Sequence, residues 1–150
     1  MAKRHTSNLD RRLLDLVPDL APLVPPASVQ DKGVYSPVTG SSFARYLRER
    51  QVDALIVTGA ETDVCVLATV LGAVDYGFRV VLVPDAMCSS SDSGHDALLT
   101  LYRERFTEQI EIAEAESVLS AWPKNVSILS SAPRQSQRRL GRTELFCSYN

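Results

Sequence analysis

The segment ALIVTGAETDVCVLATVLGAV (residues 54–74) constrains the fold of this chain more than any other. A short, β-branched apolar run opens it and ends at Gly59, as a strand buried on both faces of a parallel sheet does. A helix is predicted to follow over residues 62–76. After Asp63, Thr69 is the only polar residue of the segment. This composition predicts a helix that is enclosed on most of its sides.

The rest of the chain alternates between predicted strands and helices in the same way. Strands are predicted over 28–32, 54–58, 79–83 and 109–113, and helices through Phe43 and Tyr46, over 62–76, through Leu99 and Phe106, and over 115–122. Asp92 or Ser93 is predicted to cap the third helix. Strands and helices that alternate with short connections form a mostly parallel sheet with right-handed crossovers. The fold class is therefore predicted to be α/β.

The length of 150 residues, of which 45% are apolar and 23% charged, fits one domain with a substantial core. Residues 1–28 are predicted to be a helical, proline-rich lead-in, and residues 29–122 the α/β domain. Residues 123–150 are basic and show little apolar periodicity, which predicts a disordered tail. Within this tail, the NVSIL segment at residues 125–129 is a candidate edge strand.

Charge and cysteine usage exclude several classes of function. Sixteen Lys and Arg residues against 18 Asp and Glu residues give a net charge of −2, which argues against a nucleic-acid partner. The sequence has no apolar run long enough to span a membrane and no apolar stretch typical of a secretory signal. Three irregularly spaced cysteines predict neither a disulfide framework nor a zinc site. We therefore expect a cytoplasmic protein with no metal, cofactor or membrane partner.

Cys65 lies in the first turn of the apolar helix, at the carboxyl end of the preceding strand. Ligands bind at that edge of open α/β sheets, and the unpaired N–H groups and dipole of a helix start favour a thiolate. The pattern alone leaves two interpretations open: a nucleophile or a small buried apolar side chain. A thiol redox role is disfavoured because no second cysteine lies three positions from Cys65.

Three segments around Cys65 carry a family pattern. Gly59 and Thr62 precede a Cys-Val pair, the strand RVVLVPDA (residues 79–86) ends in Asp-Ala, and the segment DKGVYSPVTGSSF (residues 31–43) places a lysine before Tyr-Ser. In these features the chain resembles the isochorismatase-like cysteine hydrolases, with matches from about residue 13 to residue 122. The resemblance implies a Rossmann-like fold of three layers, α/β/α.

The resemblance also implies a catalytic site. In this family a Cys–Asp–Lys triad hydrolyses amide-type or related bonds, which places Cys65 as the nucleophile and Lys32 as the cation that stabilises its thiolate. A cis peptide bond is expected in the turn at Ala60–Glu61. The backbone N–H groups of Glu61 and Cys65 are then the candidate oxyanion donors.

One part of the family pattern has no counterpart here. The aspartate of the triad follows the family's first strand, in an Asp-x-Gln context, whereas Asp10, Asp15 and Asp19 lie in a polar helix or among prolines. None of the three is assigned as the base. In the family's sheet order, 3-2-1-4-5-6, that first strand separates the lysine strand from the cysteine strand. The chain is therefore expected to be a truncated member that lacks the first strands.

The polar residues around the cysteine are predicted to have structural roles rather than catalytic ones. Glu61 and Asp63 are expected to complement the helix dipole. His95 is expected to pack or to cap its helix, and the serine run from residue 89 to 91 to form a helix-entry loop.

Two functions are compatible with these observations. The first is a hydrolase that cleaves a small amide-type molecule through Cys65 and Lys32, with Tyr35 and Thr62 contacting the substrate. The alternative is a truncated, non-catalytic relative that acts as a subunit or binding module, because the family's aspartate is absent. By analogy with the family, either one is expected to form a homo-oligomer.

Overall fold

A computed structural model describes residues 15–25, 27–40 and 42–122 and the backbone of a strand at 142–148. The chain divides into two compact units between Asp31 and Lys32. In the first unit, the described residues form a single 3₁₀ turn over Ala21–Leu23. The strand predicted over 28–32 is wrong, since these residues have no regular secondary structure. Val29 is 52% exposed, so the short apolar pattern has no buried face.

The second unit contains the alternating strands and helices. In chain order they are α1 (Ser42–Glu49), β1 (Val52–Gly59), a π-helical turn (Thr62–Val66) that continues into α2 (Leu67–Asp75), β2 (Arg79–Met87), α3 (Asp92–Arg105), β3 (Ile110–Ile112), α4 (Ala115–Ala121) and β4 (Arg142–Ser148). The predicted α/β class is confirmed. None of the described helices is both long and apolar enough to cross a bilayer.

Strand β1 lies in the middle of a parallel sheet with the order β3-β2-β1-β4. On one side Ala54 pairs with Arg79, and on the other side Gly59 pairs with Ser148. Leu55 of β1 is fully buried, as expected for a strand covered on both faces by packed elements. The carboxyl ends of β1, β2 and β4 therefore reach the same edge of the sheet.

The position of β4 corrects the sequence prediction for the tail. Residues 123–150 are predicted to be disordered, whereas residues 142–148 form a strand that pairs with β1. The pairing partner is distant in sequence, so no local apolar periodicity signals it. Residues 123–141, which include the candidate strand at 125–129, lie outside the described residues.

The π-helical turn and α2 are buried along most of their length. Of the eleven residues from 64 to 74, six are buried, three are half-buried and two are exposed, Val64 at 36% and Leu71 at 38%. The burial agrees with the prediction of a helix enclosed on most of its sides. The exception is the side that carries Val64 and Leu71, which lie seven residues apart and therefore share a face.

Strand β2 is predicted over 79–83 but continues through Pro84 to Met87. The register between β1 and β2 shifts there, so that Gly59 pairs with Met87. Proline is tolerated in such an irregularity because the regular hydrogen-bond ladder is already interrupted. The extension brings Cys88 beside the end of β1, where its N–H donates to the carbonyl of Gly59 at 3.2 Å.

The pairing of β4 with β1 can be tested with two proline variants. Along a strand, successive N–H groups point to opposite sides, so only one of Thr143 and Glu144 directs its N–H toward β1. Proline removes that donor and is tolerated where the N–H faces away. We expect Thr143→Pro and Glu144→Pro to differ by about 1–3 kcal/mol in free energy of unfolding, measured with urea. Alanine at the same positions is the control, and equal stability of the two proline variants would contradict the pairing.

Candidate active site

The structure brings Lys32 and Cys65 together across 33 positions of sequence. Nζ of Lys32 donates to Sγ of Cys65 at 3.5 Å. Cys65 has no exposed surface, and Lys32 is half-buried. An apolar environment by itself favours the neutral thiol, whereas a neighbouring ammonium favours the thiolate. The contact therefore gives this buried sulfur the kind of neighbour that a reactive cysteine needs.

Strand β1 and the turn after it position Cys65. Gly59 has a φ of +100°, which residues with a side chain rarely adopt, and the peptide bond one residue further on, Ala60–Glu61, is cis as expected. The chain then enters the π-helical turn, in which the N–H of Val66 donates to the carbonyl of Glu61 at 3.0 Å. The sequence predicts an ordinary helix start here. Instead, Cys65 lies in a wider turn of a kind that is frequent at functional sites.

The segment that follows Lys32 rests against α2 through Ser36 and Thr39. Oγ of Ser36 accepts from the N–H of Thr39 at 3.2 Å and from its hydroxyl at 3.3 Å. A Cβ at Gly72 would lie 2.6 Å from Oγ1 of Thr39 and 3.0 Å from Oγ of Ser36. The absence of a side chain at Gly72 therefore lets the segment approach the helix that carries the cysteine. Sequence reasoning missed this contact, although a glycine inside an apolar helix is a signal for close packing.

The loop after β2 holds the turn that precedes Cys65. The N–H and the hydroxyl of Thr62 both donate to the carbonyl of Cys88 at 3.0 Å, and Oγ1 of Thr62 lies 2.8 Å from Nδ1 of His95. Because the hydroxyl donates its only proton to Cys88, Nδ1 of His95 acts as the donor to Thr62. Thr62 is fully buried, and its hydroxyl is hydrogen-bonded to Cys88 and His95 of the protein itself.

Glu61 is anchored to the same loop by its side chain. Oε2 accepts from the N–H of Ser90 at 2.9 Å, from the hydroxyl of Ser90 at 2.7 Å and from the hydroxyl of Ser89 at 3.1 Å. The hydroxyl of Ser89 has a single proton, and its contact with the carboxylate of Asp63 is shorter than its contact with Glu61, so Ser90 supplies the two unshared donors to Glu61. The backbone N–H of Ser90, followed by the two hydroxyl groups, holds the pKa of Glu61 below its ordinary value of 4.5. Glu61 and Asp63 thus bind the loop, a role that the sequence analysis did not assign to them.

The start of α3 packs close to this cluster. Ser91, not Asp92 or Ser93, is the N-cap, and its Oγ accepts from the N–H of Gly94 at 3.1 Å. A Cβ at Gly94 would collide with the carboxylate of Asp63, so a side chain at this position would displace that carboxylate from its place beside Ser89. The serine run therefore supplies the helix cap as well as the donors to Glu61.

The two predicted substrate contacts lie in different environments. Tyr35 is 64% exposed, whereas Thr62 is fully buried, so only Tyr35 offers side-chain surface to a ligand. Both roles stay predictions. Among the residues that the structure describes, no group of three or more His, Cys, Asp or Glu side chains could hold a metal ion.

Comparison with known proteins decides the family. A family model described as Isochorismatase domain matches residues 2–114. The chain belongs to the isochorismatase family. The resemblance seen in the Gly59, Thr62 and Cys65 pattern is thereby confirmed.

Relatives and solved structures agree with this assignment. An uncharacterized isochorismatase family protein, PncA, of Bacillus subtilis (strain 168) is 35% identical over 80 residues, which are 53% of this chain and 44% of the relative. A crystal structure of nicotinamidase PncA from Bacillus subtilis is 29% identical, has a TM-score of 0.55 and is matched over 62% of this chain and 51% of its own. The pyrazinamidase/nicotinamidase of Streptococcus mutans UA159 is 33% identical, with a TM-score of 0.51, over 56% of this chain and 45% of its own. This isochorismatase family chain therefore spans about half the length of the relatives it matches.

Substitution of Gly72 tests how the lysine segment is held. In Gly72→Ala the new methyl group meets Thr39, and overpacking of about 1–3 kcal/mol outweighs the helix propensity gain of about 1 kcal/mol. We expect a lower free energy of unfolding in urea and slower alkylation of Cys65, since Lys32 moves with its segment. The second substitution in Gly72→Ala/Thr39→Ala removes the nearest clashing atom and should restore part of both properties. If the single variant matched the wild type in both, the close contact at Gly72 would not position Lys32.

Proposed function

We propose that this chain is a cysteine hydrolase that cleaves a small amide through the thiolate of Cys65, supported by Lys32. The observation that carries the proposal is the contact of 3.5 Å between Nζ of Lys32 and Sγ of Cys65. Solved relatives that are a nicotinamidase and a pyrazinamidase/nicotinamidase support an amide as the substrate class. Nicotinamide and pyrazinamide are therefore the first substrates to test.

The proposed reaction forms and hydrolyses a thioester. The thiolate of Cys65 attacks the amide carbon, a C–S bond forms, and the carbonyl oxygen becomes an oxyanion. When this intermediate collapses, the C–N bond breaks and the leaving nitrogen takes a proton from the ammonium of Lys32, so that ammonia departs. Water then attacks the thioester and gives a proton to the neutral Lys32 amine. The C–S bond breaks, and the products are a carboxylic acid and the restored thiolate–ammonium pair.

The backbone N–H groups of Glu61 and Cys65 are the proposed donors to the oxyanion. Glu61 directly precedes the π-helical turn and Cys65 lies within it, after the carboxyl end of β1. Donors that are held in place before the reaction stabilise the developing charge without reorganising during the step. In this scheme Lys32 moves the protons, because no aspartate of the sequence is assigned as the base.

Hydrolysis assays test the catalytic roles. We expect the wild type to release ammonia from nicotinamide or pyrazinamide, and Cys65→Ala to lose at least 100-fold in kcat, because no other group forms the thioester. Lys32→Ala should lose a similar factor, and Lys32→Arg should recover little, since a guanidinium keeps the charge but does not give up its proton. Full activity of Cys65→Ala on both amides would contradict the proposal.

Alkylation of the thiols tests the role of the Lys32 charge without any substrate. Cys88 is exposed and has no assigned role in the chemistry, so its rate calibrates that of Cys65 in the same molecule. Lys32→Ala should lower the ratio of Cys65 to Cys88 alkylation by iodoacetamide about 10-fold at pH 7, since the thiolate loses its neighbouring cation. Lys32→Arg should retain the ratio. The rates are read by peptide mass spectrometry, and an unchanged ratio in Lys32→Ala would remove Lys32 from this role.

A further inference from the structure

The backbone and the side chain of Glu61 have different partners. Its peptide N–H is a proposed oxyanion donor, and its carboxylate accepts from the N–H and the hydroxyl of Ser90, with the hydroxyl of Ser89 shared between Glu61 and Asp63. Its carbonyl is used elsewhere, since it accepts from the N–H of Val64 at 3.1 Å and from the N–H of Val66 at 3.0 Å. The residue is therefore held from two sides, by the helix through its carbonyl and by the loop through its side chain.

We propose that the carboxylate of Glu61 is a positioning group, which sets the orientation of the oxyanion-binding N–H through its hydrogen bonds to the N–H and the hydroxyl of Ser90. This inference rests on the proposed hydrolase function. It adds a positioning role for the Glu61 carboxylate. It also makes the serine run at residues 89–91, which the sequence predicts only as a helix-entry loop, the support of that carboxylate.

The neighbouring contacts show why the side chain matters. The residues on either side of the turn are tied to the loop by their backbones: Gly59 accepts from the N–H of Cys88, and Thr62 donates to the carbonyl of Cys88. Between these two anchors, the link from Glu61 to the loop is the side-chain contact with Ser89 and Ser90. Without that contact, the backbone is still held to the loop at Gly59 and at Thr62, but the peptide between Ala60 and Glu61 is no longer held between them.

The loop is itself well placed to act as a support. Its last residue, Ser91, caps α3, and the N–H of His95 donates to the carbonyl of Ser91 at 2.9 Å. A donor set fixed to a helix start gives Glu61 a defined partner. These bonds favour the ionised carboxylate, in keeping with its lowered pKa. The anchor is therefore in its bound form at neutral pH.

The test compares Glu61→Ala and Glu61→Gln with Glu104→Ala, which removes an exposed carboxylate of α3 as a matched control. Three properties are measured: kcat for ammonia release from nicotinamide, the rate of Cys65 alkylation by iodoacetamide, and hydrogen exchange of peptides that cover residues 59–66 and 88–91. Alkylation forms no oxyanion, so displacement of an oxyanion donor does not slow it.

We expect Glu61→Ala to lower kcat about 10- to 100-fold, to leave the alkylation rate within about twofold, and to raise hydrogen exchange in both segments. Glu61→Gln should recover most of kcat, because its amide oxygen still accepts from Ser90. The inference is overturned if kcat in Glu61→Ala equals that of Glu104→Ala, or if kcat and alkylation fall in parallel.

The outcome also separates this inference from the proposed function. If the wild type hydrolyses neither nicotinamide nor pyrazinamide, the proposed function fails for these substrates and hydrogen exchange alone decides on the positioning role. Faster exchange at residues 59–66 in Glu61→Ala, relative to Glu104→Ala, then supports it. Unchanged exchange there overturns it.

Discussion

The site depends on parallel pairing of β1 with a neighbour on each side. Because parallel strands end at the same edge, the turn that follows β1 and the loop that follows β2 emerge next to each other. The shift in register after Val57 brings Met87 opposite Gly59. The backbone of Cys88 is then within hydrogen-bond distance of the turn that leads to Cys65.

Two separate segments converge on the short unit formed by the π-helical turn and α2. The lysine segment rests on its later part, where Gly72 admits Ser36 and Thr39, and Lys32 thereby reaches the sulfur. The loop after β2 binds its beginning through Thr62 and the carboxylate of Glu61. A displacement of the lysine segment therefore changes the surroundings of the Cys65 sulfur, and a displacement of the loop changes the turn that leads to it. Packing and chemistry are coupled here through a few short-range contacts.

The strand that pairs with β1 on the side away from β2 differs from the one that the family's strand order implies. The family order implies that the strand beside the cysteine strand, on the side away from β2, comes from the start of the domain. Here that neighbour is β4, at residues 142–148. A parallel edge accepts any strand with matching backbone geometry, whatever its place in the sequence. β1 is thus covered on both edges although the chain spans about half the length of its relatives.

Local sequence determined the elements whose residues carry their own signals. The β-branched run of β1, the apolar positions of α2 and the Gly59–Thr62–Cys65 spacing were sufficient to predict a parallel α/β sheet and the family, and together with the Lys32 segment they indicated the residues of the candidate site. Contacts between distant segments were decided by the tertiary structure. Neither the pairing of β4 with β1 nor the bonds from Ser89 and Ser90 to Glu61 leave a periodic pattern, because they depend on which backbone lies opposite. The exposure of Leu71 was also decided by packing, because the composition of α2 indicates that the helix is largely enclosed but not which of its positions stays uncovered.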